Sequence, residues 1–448
     1  MKPRPLVLIC LLIFLGAFLI RYVYVMETEV VNPVQADAKQ YFSYGYNLFQ
    51  HGVYSKQRAE DASALTPDSF RSPGYPLLIA ASFSLGGEKH FYPVLLFIQV
   101  FLSSITAVLT LWLAWRVLAP TWAVVSAVLV ALSPHLVVMC GYMLTETLFS
   151  FLIVSALLLY TEAHVQKKFY LFIISSVFWG FAYLTNETAL FIPFCLALIS
   201  CFLIRREKFS ANIDYRWVAV FVVFFAVFPI SWTARNHMIV PDNAPQGSSR
   251  ALNTITHGSY IDFIYESEEY KYFPYYEDPM QPDISNSYSK FLEVFWLRFK
   301  ERPGEYIAWY LVKKPYYFWS WDILQGQGDI YVYPVKTSLY TQNRLADAAR
   351  GFFRFIHPVL MIFFLGGLIY LLGKVFASGK SGMQQKIVFA SLGWIPVYYT
   401  LLYMVFASWP RYALPLRPVF FIIAVLALTR LFFFCKSRLE SAGHIGNI

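Results

Sequence analysis

Charge is scarce in this chain. Asp, Glu, Lys and Arg make up only 14% of its 448 residues, and 58% are hydrophobic. Soluble domains carry about 25% charged residues, so a water-soluble globular class is excluded. Cysteine is scarce too. The five cysteines, Cys10, Cys140, Cys195, Cys201 and Cys435, all lie in or beside apolar runs, and no CxxC pair exists. That argues against a zinc site and against a disulfide framework. No small-x-small cleavage site follows the first apolar run, Leu6 to Ile20; the run has Lys2 and Arg4 before it and continues into Arg21, Tyr22 and Tyr24. A retained first membrane helix is expected, not a cleaved signal peptide. Low-complexity tracts and periodic repeats are also missing. The two halves show no matching pair of broken helices, which weighs against a transporter or flippase.

What the chain does have is apolar blocks of spanning length. Blocks of about 20 residues with few charges read as transmembrane helices. Ten are expected, at 6–25, 91–118, 121–140, 145–161, 169–185, 187–204, 216–234, 352–373, 386–407 and 412–434. The fold class is therefore an all-α polytopic membrane protein, a bundle of about ten or more helices. Basic residues in short loops orient such a bundle. Lys2 and Arg4, Arg116, Lys167 and Lys168, Arg205, Arg206 and Lys208, Lys374, Lys380 and Lys386, then Lys436 and Arg438 mark alternate ends. Both termini are then cytoplasmic. The net charge of +9 follows from these loops and calls for no nucleic-acid partner. Two long segments, 26–90 and 235–351, fall outside. The expected organisation is an N-terminal membrane module over 1–234, a large aromatic-rich outer loop over 235–351, and C-terminal helices with a short tail over 352–448.

The first outer loop contains "RSPGYPLLIA" from Arg71 to Ala80. The apolar part, Tyr75 to Leu85, is too short to span, so an interfacial or re-entrant helix is expected. The second loop carries "FWLRFKERPGEYIAWYLVKKPYYFWSW", read as an aromatic helix pair at the membrane interface, broken at Pro303-Gly304. Lys313 and Lys314 within it are expected to snorkel beside the aromatic belt.

Charges beside hydrocarbon are costly and mark candidate sites. At the outer span ends lie Asp37, Glu146, Glu187, Arg235 and Arg411, with Arg71 from the first loop. Three acids and three arginines on one face suit a charged lipid headgroup. Asp37 opens a helix with Tyr41, Tyr44 and Leu48 on its face and Gly52 at its end. Read locally, Asp37 is an N-cap, with Gln40 completing a capping-box-like pair. Each arginine alone reads as a snorkelling anchor, and Glu146 as a first-turn acid favoured by the helix dipole. His135, after Ser133-Pro134, reads as a packed polar residue at a kink.

Taken in order, several strings are more specific. "ADAKQYFSYGYNLFQHGVYS", "RSPGYPLLIA", "ALSPHLVVMCGYMLTETLFSFLI", "SWTARNH", "ERPGEYIAWYLVKKPYYFW" and "SWPRYALPLRP" run from about residue 36 to 418. They resemble the C-type membrane glycosyltransferases, in particular bacterial relatives of protein O-mannosyltransferases and lipid A aminoarabinose transferases. The chain departs from that pattern where Asp37 is followed by Ala38 and Lys39, and where Asn186-Glu187 replaces an Arg-Pro. The resemblance implies an inverting glycosyltransferase in a bacterial plasma (inner) membrane, with its active site facing the periplasm. The donor would be a polyprenyl phosphate sugar and the acceptor a hydroxyl of a glycan, lipid or protein. It implies Asp37 as the general base, with Arg71, Arg235 and Arg411 for the phosphate and Glu146, Tyr41 and Glu187 as further binding residues. A divalent metal on Asp37 and Glu146 is not required, because arginines already hold the leaving phosphate. A polysaccharide polymerase or ligase and a catalytically inert partner subunit are the remaining alternatives.

Overall fold

The structure is a computed structural model and describes residues 3–59, 61–206, 215–377 and 382–445. Lys2, Lys208 and Lys380 lie outside the described residues. In chain order the elements begin with α1 (Pro3–Glu27), a short strand β1 (Glu29–Val30), α2 (Ala36–His51) and α3 (Gly74–Ala114). Next come α4 (Pro120–Leu132), α5 (Pro134–Val138), α6 (Glu146–Gln166), α7 (Phe169–Thr185), α8 (Ile192–Arg206) and α9 (Tyr215–Ile239). The large loop holds α10 (Gly247–Ser259), α11 (Gln281–Asn286), α12 (Tyr288–Glu301), α13 (Pro303–Ala308), α14 (Lys314–Trp319), the strand β2 (Val335–Thr337) and α15 (Leu339–Gln342). The chain closes with α16 (Arg344–Phe376), α17 (Met383–Val405) and α18 (Arg417–Ile445).

All ten expected blocks fall on helices. Among the described residues eight helices are long and apolar enough to cross a membrane, and the bent pair α4–α5 makes a ninth. The tenth, α7, has 17 residues and is shorter than that measure. The protein is an all-α polytopic membrane protein. α6 packs against α3, α7 and α17 and is the most enclosed span. α1, α9 and α16 lie outermost. On α16, Phe355, Ile362 and Ile369 are exposed at seven-residue spacing, an apolar stripe suited to a lipid environment. β1 pairs antiparallel with β2 and ties the first outer loop to the second.

The stretch at Tyr75–Leu85 is a short helix as expected, but it does not stand apart. It runs directly into the second span as one 41-residue element. Unbroken, that element would be about 60 Å long, twice the hydrocarbon thickness. Gly87, at φ 63 and ψ −177, breaks it, a backbone conformation open to glycine. Gly74, at its start, abuts α7: a Cβ there would lie 2.6 Å from Thr185 Oγ1 and 2.8 Å from the Leu184 carbonyl. This close approach is what the Pro-Gly of "RSPGYP" permits. It fixes Arg71 over the bundle's end.

The break at Ser133-Pro134 bends α4 against α5 by 49° and leaves the last carbonyls of α4 without helical partners. Arg21 supplies donors from α1. Its guanidinium is fully buried and donates to the Ala131 carbonyl at 2.8 Å, the Val130 carbonyl at 3.1 Å and Ser103 Oγ at 2.7 Å. A broken helix is tolerated in a membrane protein when a neighbour re-satisfies the freed backbone. Arg21→Met is therefore expected to destabilise the fold by about 1–3 kcal/mol for each carbonyl left buried and unpaired. A thermal melt in detergent matching the parent's would remove this role.

Candidate active site

α2 begins abruptly. Ala36 sits at φ 41, unusual for a residue with a Cβ, and turns the chain from the loop into the helix. Gln35 is the N-cap residue and makes no side-chain cap bond. The expected cap role of Asp37 is thus corrected: Asp37 lies one residue inside the first turn and its carboxylate points to other partners. Asp37, Gln40, Tyr41 and Tyr44 share one face at helical spacing.

That face meets the loop leading to α3. Asp68 organises the loop from a buried position. Its carboxylate accepts from the Tyr44 hydroxyl, from the Lys56 N–H at 2.8 Å and from the Phe70 N–H at 3.0 Å. The Tyr54 hydroxyl donates to the Arg71 carbonyl at 2.8 Å. With its backbone held, Arg71 donates from Nη2 to Asp37 Oδ1 at 2.6 Å and from Nε to Gln40 Oε1 at 2.7 Å. Its guanidinium lies 5.0 Å from the centre of the Tyr41 ring.

The other oxygen of Asp37 is taken from the far end of the chain. Between α17 and α18 a 3₁₀ turn, Pro410–Leu416, presents Arg411. Arg411 Nη2 lies 2.7 Å from Asp37 Oδ2, and its Nε lies 3.0 Å from Glu146 Oε1. Glu146, in the first turn of α6, is buried at 6% exposure. Four charges form one continuous row: Arg71, Asp37, Arg411, Glu146. The two arginines hold the Asp37 carboxyl well below the usual carboxylate range. Partial burial opposes this, but Arg71 and then Arg411 outweigh it.

A second pair stands beside the row. Glu187, on the Glu187–Ala189 turn after α7, is ion-paired with Arg250 of α10. Burial works against the Arg250 charge, yet Glu187 raises the guanidinium above its ordinary value, and the Arg71 charge is close enough to be felt. α10 is seated by the Ala407 N–H, which donates to the Thr254 carbonyl at 3.2 Å. So the large outer loop contributes an arginine that the sequence reading did not single out. Its local sequence, "GSSRALNT", is mostly polar and borders no apolar block of spanning length.

Arg235 is placed differently from the other two arginines. It donates from Nη1 to the Asp68 carbonyl at 2.9 Å and lies over the Tyr54 and Trp232 rings. It braces the loop that carries Arg71. His135 lies buried at the α4–α5 bend with Nε2 2.9 Å from the Trp321 carbonyl, a packed polar residue at a kink. Lys313 reaches Asp262. Lys314 does not snorkel. It is fully buried, donates to the Val405 carbonyl at 3.2 Å and sits 4.2 Å from the Tyr310 ring, because the π-helical turn at 309–313 rotates it inward.

Asp37 and Glu146 were also the candidate metal ligands. Among the described residues no three His, Cys, Asp or Glu side chains gather as a ligand group. The two carboxylates flank the Arg411 guanidinium, and Arg411 together with Arg71 balances their charge. The residues do not fit a metal centre in this arrangement.

Similarity to known proteins bears on this geometry. The family model for dolichyl-phosphate-mannose-protein mannosyltransferase matches residues 70–232, a stretch holding Arg71, Glu146 and Glu187. No curated protein matches the sequence significantly. Among solved structures, the apo oligosaccharyltransferase of Archaeoglobus fulgidus superposes with a TM-score of 0.53 at 13% identity, covering 98% of this chain and 52% of that one. The Archaeoglobus fulgidus oligosaccharyltransferase AglB, in complex with an inhibitory peptide and a dolichol-phosphate, gives 0.51 at 12% identity over 97% of this chain and 52% of that one. The chain has the C-type glycosyltransferase fold. ArnT from Cupriavidus metallidurans, bound to undecaprenyl phosphate, superposes with a TM-score of 0.48 at 12% identity, covering 96% of this chain and 61% of that one. The chain spans about half the length of the two oligosaccharyltransferase chains. Within this C-type fold, the row from Arg71 to Glu146 is drawn from both ends of the sequence.

Proposed function

We propose that the chain is an inverting glycosyltransferase that moves a sugar from a polyprenyl phosphate donor to an acceptor hydroxyl on the non-cytoplasmic face of the membrane. The observation that carries this reading is the Asp37 carboxylate held between Arg71 and Arg411 at 2.6 and 2.7 Å. One carboxylate and two convergent arginines are the groups such a transfer needs. The name of the matched family model, with a polyprenyl monophosphate sugar as donor, supports the donor class. Sidedness is supported by the basic ends. α6 and α8 start at Glu146 and near Glu187, and they end at Lys167 and at Arg205 and Arg206, so the site lies at the end opposite the basic clusters.

The chemistry follows from the geometry. A donor phosphate draws Arg71 and Arg411 to its oxygens by charge-assisted hydrogen bonds. The bond from the anomeric carbon to the phosphate oxygen breaks, and the arginines stabilise the negative charge that builds there. The acceptor oxygen bonds to the anomeric carbon from the opposite side, and its proton passes to Asp37. Polyprenyl phosphate leaves. One displacement with a single carboxylate inverts the anomeric centre, as in inverting glycosidases. Glu146 keeps Arg411 in place.

Paired with two arginines, Asp37 is a weak base. It recovers basicity as they turn to the phosphate. In the folded resting state its pKa lies below the ~3.9 of an unfolded chain. Its stabilising contribution is therefore full above that value and is lost as pH falls through the lower folded one. The acid limb of kcat/KM reports the free enzyme, and that of kcat the donor complex. The limb of kcat is expected at higher pH than that of kcat/KM; coincident limbs would reject this exchange of partners.

A further inference from the structure

Glu187 and Arg250 meet where three segments converge: the loop carrying Arg71, the turn after α7 and the start of α10. Just before α10, the Pro245 carbonyl accepts from the N–H of Ser69, two residues from Arg71, at 3.2 Å. Toward its far end, the Thr254 carbonyl accepts from the N–H of Ala407, four residues from Arg411. Gly247, Arg250, Thr254 and Gly258 fall on one helical face. That face is closely approached. A Cβ on Gly247 would lie 3.5 Å from the Ser69 carbonyl oxygen and 3.8 Å from Glu187 Oε1, and one on Gly258 would lie 2.6 Å from the Phe406 carbonyl oxygen. Another face carries Leu252 and Ile255, which pack with Ile284, Phe291 and Val294 of the outer loop. α10 is thus a crossbar between the segments that carry Arg71 and Arg411. Arg250 is the one Asp, Glu, Lys or Arg in its sequence, and it is set between them.

The turn bearing Glu187 is fixed as well. Asn186 Oδ1 accepts from the Thr188 N–H at 3.1 Å, and the Tyr398 hydroxyl donates to the Thr188 carbonyl at 2.6 Å. Glu187 and Arg250 are nonetheless reachable, with 36% and 23% of their side chains exposed. Each has hydrogen-bonding capacity beyond the pair, since a guanidinium offers five N–H donors and a carboxylate accepts at two oxygens. Ser72 adds a third group. It follows Arg71 in the chain and is 5% exposed. Among the described residues its hydroxyl has no hydrogen-bond partner, and the Glu187 carboxylate is the group it approaches. A buried hydroxyl left unpaired is costly, and a ligand can supply the missing bond. Tyr41 joins this pair to the ionic row. Arg71 Nη1 donates to its hydroxyl at 3.4 Å, and the Arg250 charge is felt at that same hydroxyl.

We propose that Glu187, Arg250 and Ser72 form the subsite for the transferred sugar and select a neutral hexose. This rests on the transferase reading above and names the sugar class of that donor. The subsite adjoins Arg71, and a sugar bonded directly to the phosphate that Arg71 holds must lie next to it. The charges of the pair cancel. A neutral sugar with adjacent hydroxyls donates to Glu187 and accepts from Arg250 and Ser72 while the ion pair stays whole. An amino sugar would have to draw Glu187 off Arg250, and a uronic acid would have to draw Arg250 off Glu187. Either leaves a partly buried charge without its partner.

The test measures lipid binding to the full chain in detergent micelles. The probes are bare undecaprenyl phosphate and the same lipid carrying a neutral hexose (glucose, galactose and mannose in turn), glucosamine or glucuronic acid. The parent is expected to hold at least one hexosyl lipid about tenfold more tightly than the bare lipid, and more tightly than either charged-sugar form. Glu187→Gln should lose that margin and gain affinity for the glucuronosyl lipid. Arg250→Gln should lose it and gain affinity for the glucosaminyl lipid. Ser72→Ala should weaken hexosyl-lipid binding a few-fold with an unchanged melting temperature, because its hydroxyl bonds nothing in the resting protein. All three variants should hold the bare lipid as the parent does, since Arg71 and Arg411 grip the phosphate. A pair that only seats α10 would lower the affinity for every lipid alike, and that result would overturn the proposal. So would a parent that holds the bare lipid as tightly as every hexosyl form, or one that prefers a charged sugar. A parent that holds none of these lipids would overturn the transferase reading itself, and this subsite with it.

Discussion

Asp37→Asn is expected to abolish sugar transfer while the fold and donor binding persist. Asparagine keeps the size and one acceptor oxygen, so at least one arginine contact survives. What is lost is the ability to take a proton from the acceptor hydroxyl, a contribution of about 10²–10⁴-fold. Removing one acid from the row leaves a surplus positive charge beside the phosphate site, so donor affinity should hold or rise. The decisive pattern is a collapse in kcat with an unchanged or lower KM for donor. Turnover near the parent rate would remove Asp37 from the role of base. Loss of donor affinity with kcat preserved would reassign it to binding.

Arg411→Ala is expected to have the second largest effect, and on two properties at once. Arg411 bridges Asp37 and Glu146 at 2.7 and 3.0 Å. Its removal leaves Glu146 buried without its ion-pair partner, and breaking such a pair destabilises by about 3–5 kcal/mol. It also removes a donor aimed at the leaving phosphate, which costs about 10²–10³-fold in kcat. The two effects separate in the combined Arg411→Met and Glu146→Gln variant. Neutralising both partners should recover most of the melting temperature and none of the activity. Recovery of activity as well would show that Arg411 matters only for folding.

The parts of this site visible in sequence are those where a charge interrupts or borders an apolar block. Arg71, Glu146, Glu187 and Arg411 stand out for that reason, and the structure sets all four in ionic contact with an opposite charge. Which acid meets which arginine was not legible. Asp37 and Arg411 are 374 residues apart, and local spacing carries no information at that range. Asp37 reads as a cap because its local sequence matches one; only the turn at Ala36 shows Gln35 in the cap position. Arg250 was missed because its helix carries only a narrow apolar face, Leu252 and Ile255, and lies in a long loop away from any spanning block. Lys314 was misjudged because a π-helical turn shifts the face it occupies, and no residue pattern announces such a turn. The ten apolar blocks were legible because hydrophobic length reports directly on the bilayer. The short α7 shows that a helix sheltered by its neighbours need not meet the full spanning length.

The measurement that tests the central claim most directly is to release the protein gently from its native membrane and weigh its bound lipids by native mass spectrometry. The account predicts a polyprenyl monophosphate carrying one sugar, retained by Asp37→Asn and depleted in Arg411→Ala. A diphosphate-linked oligosaccharide in its place would contradict the account and indicate a polymerase or ligase built on the same fold.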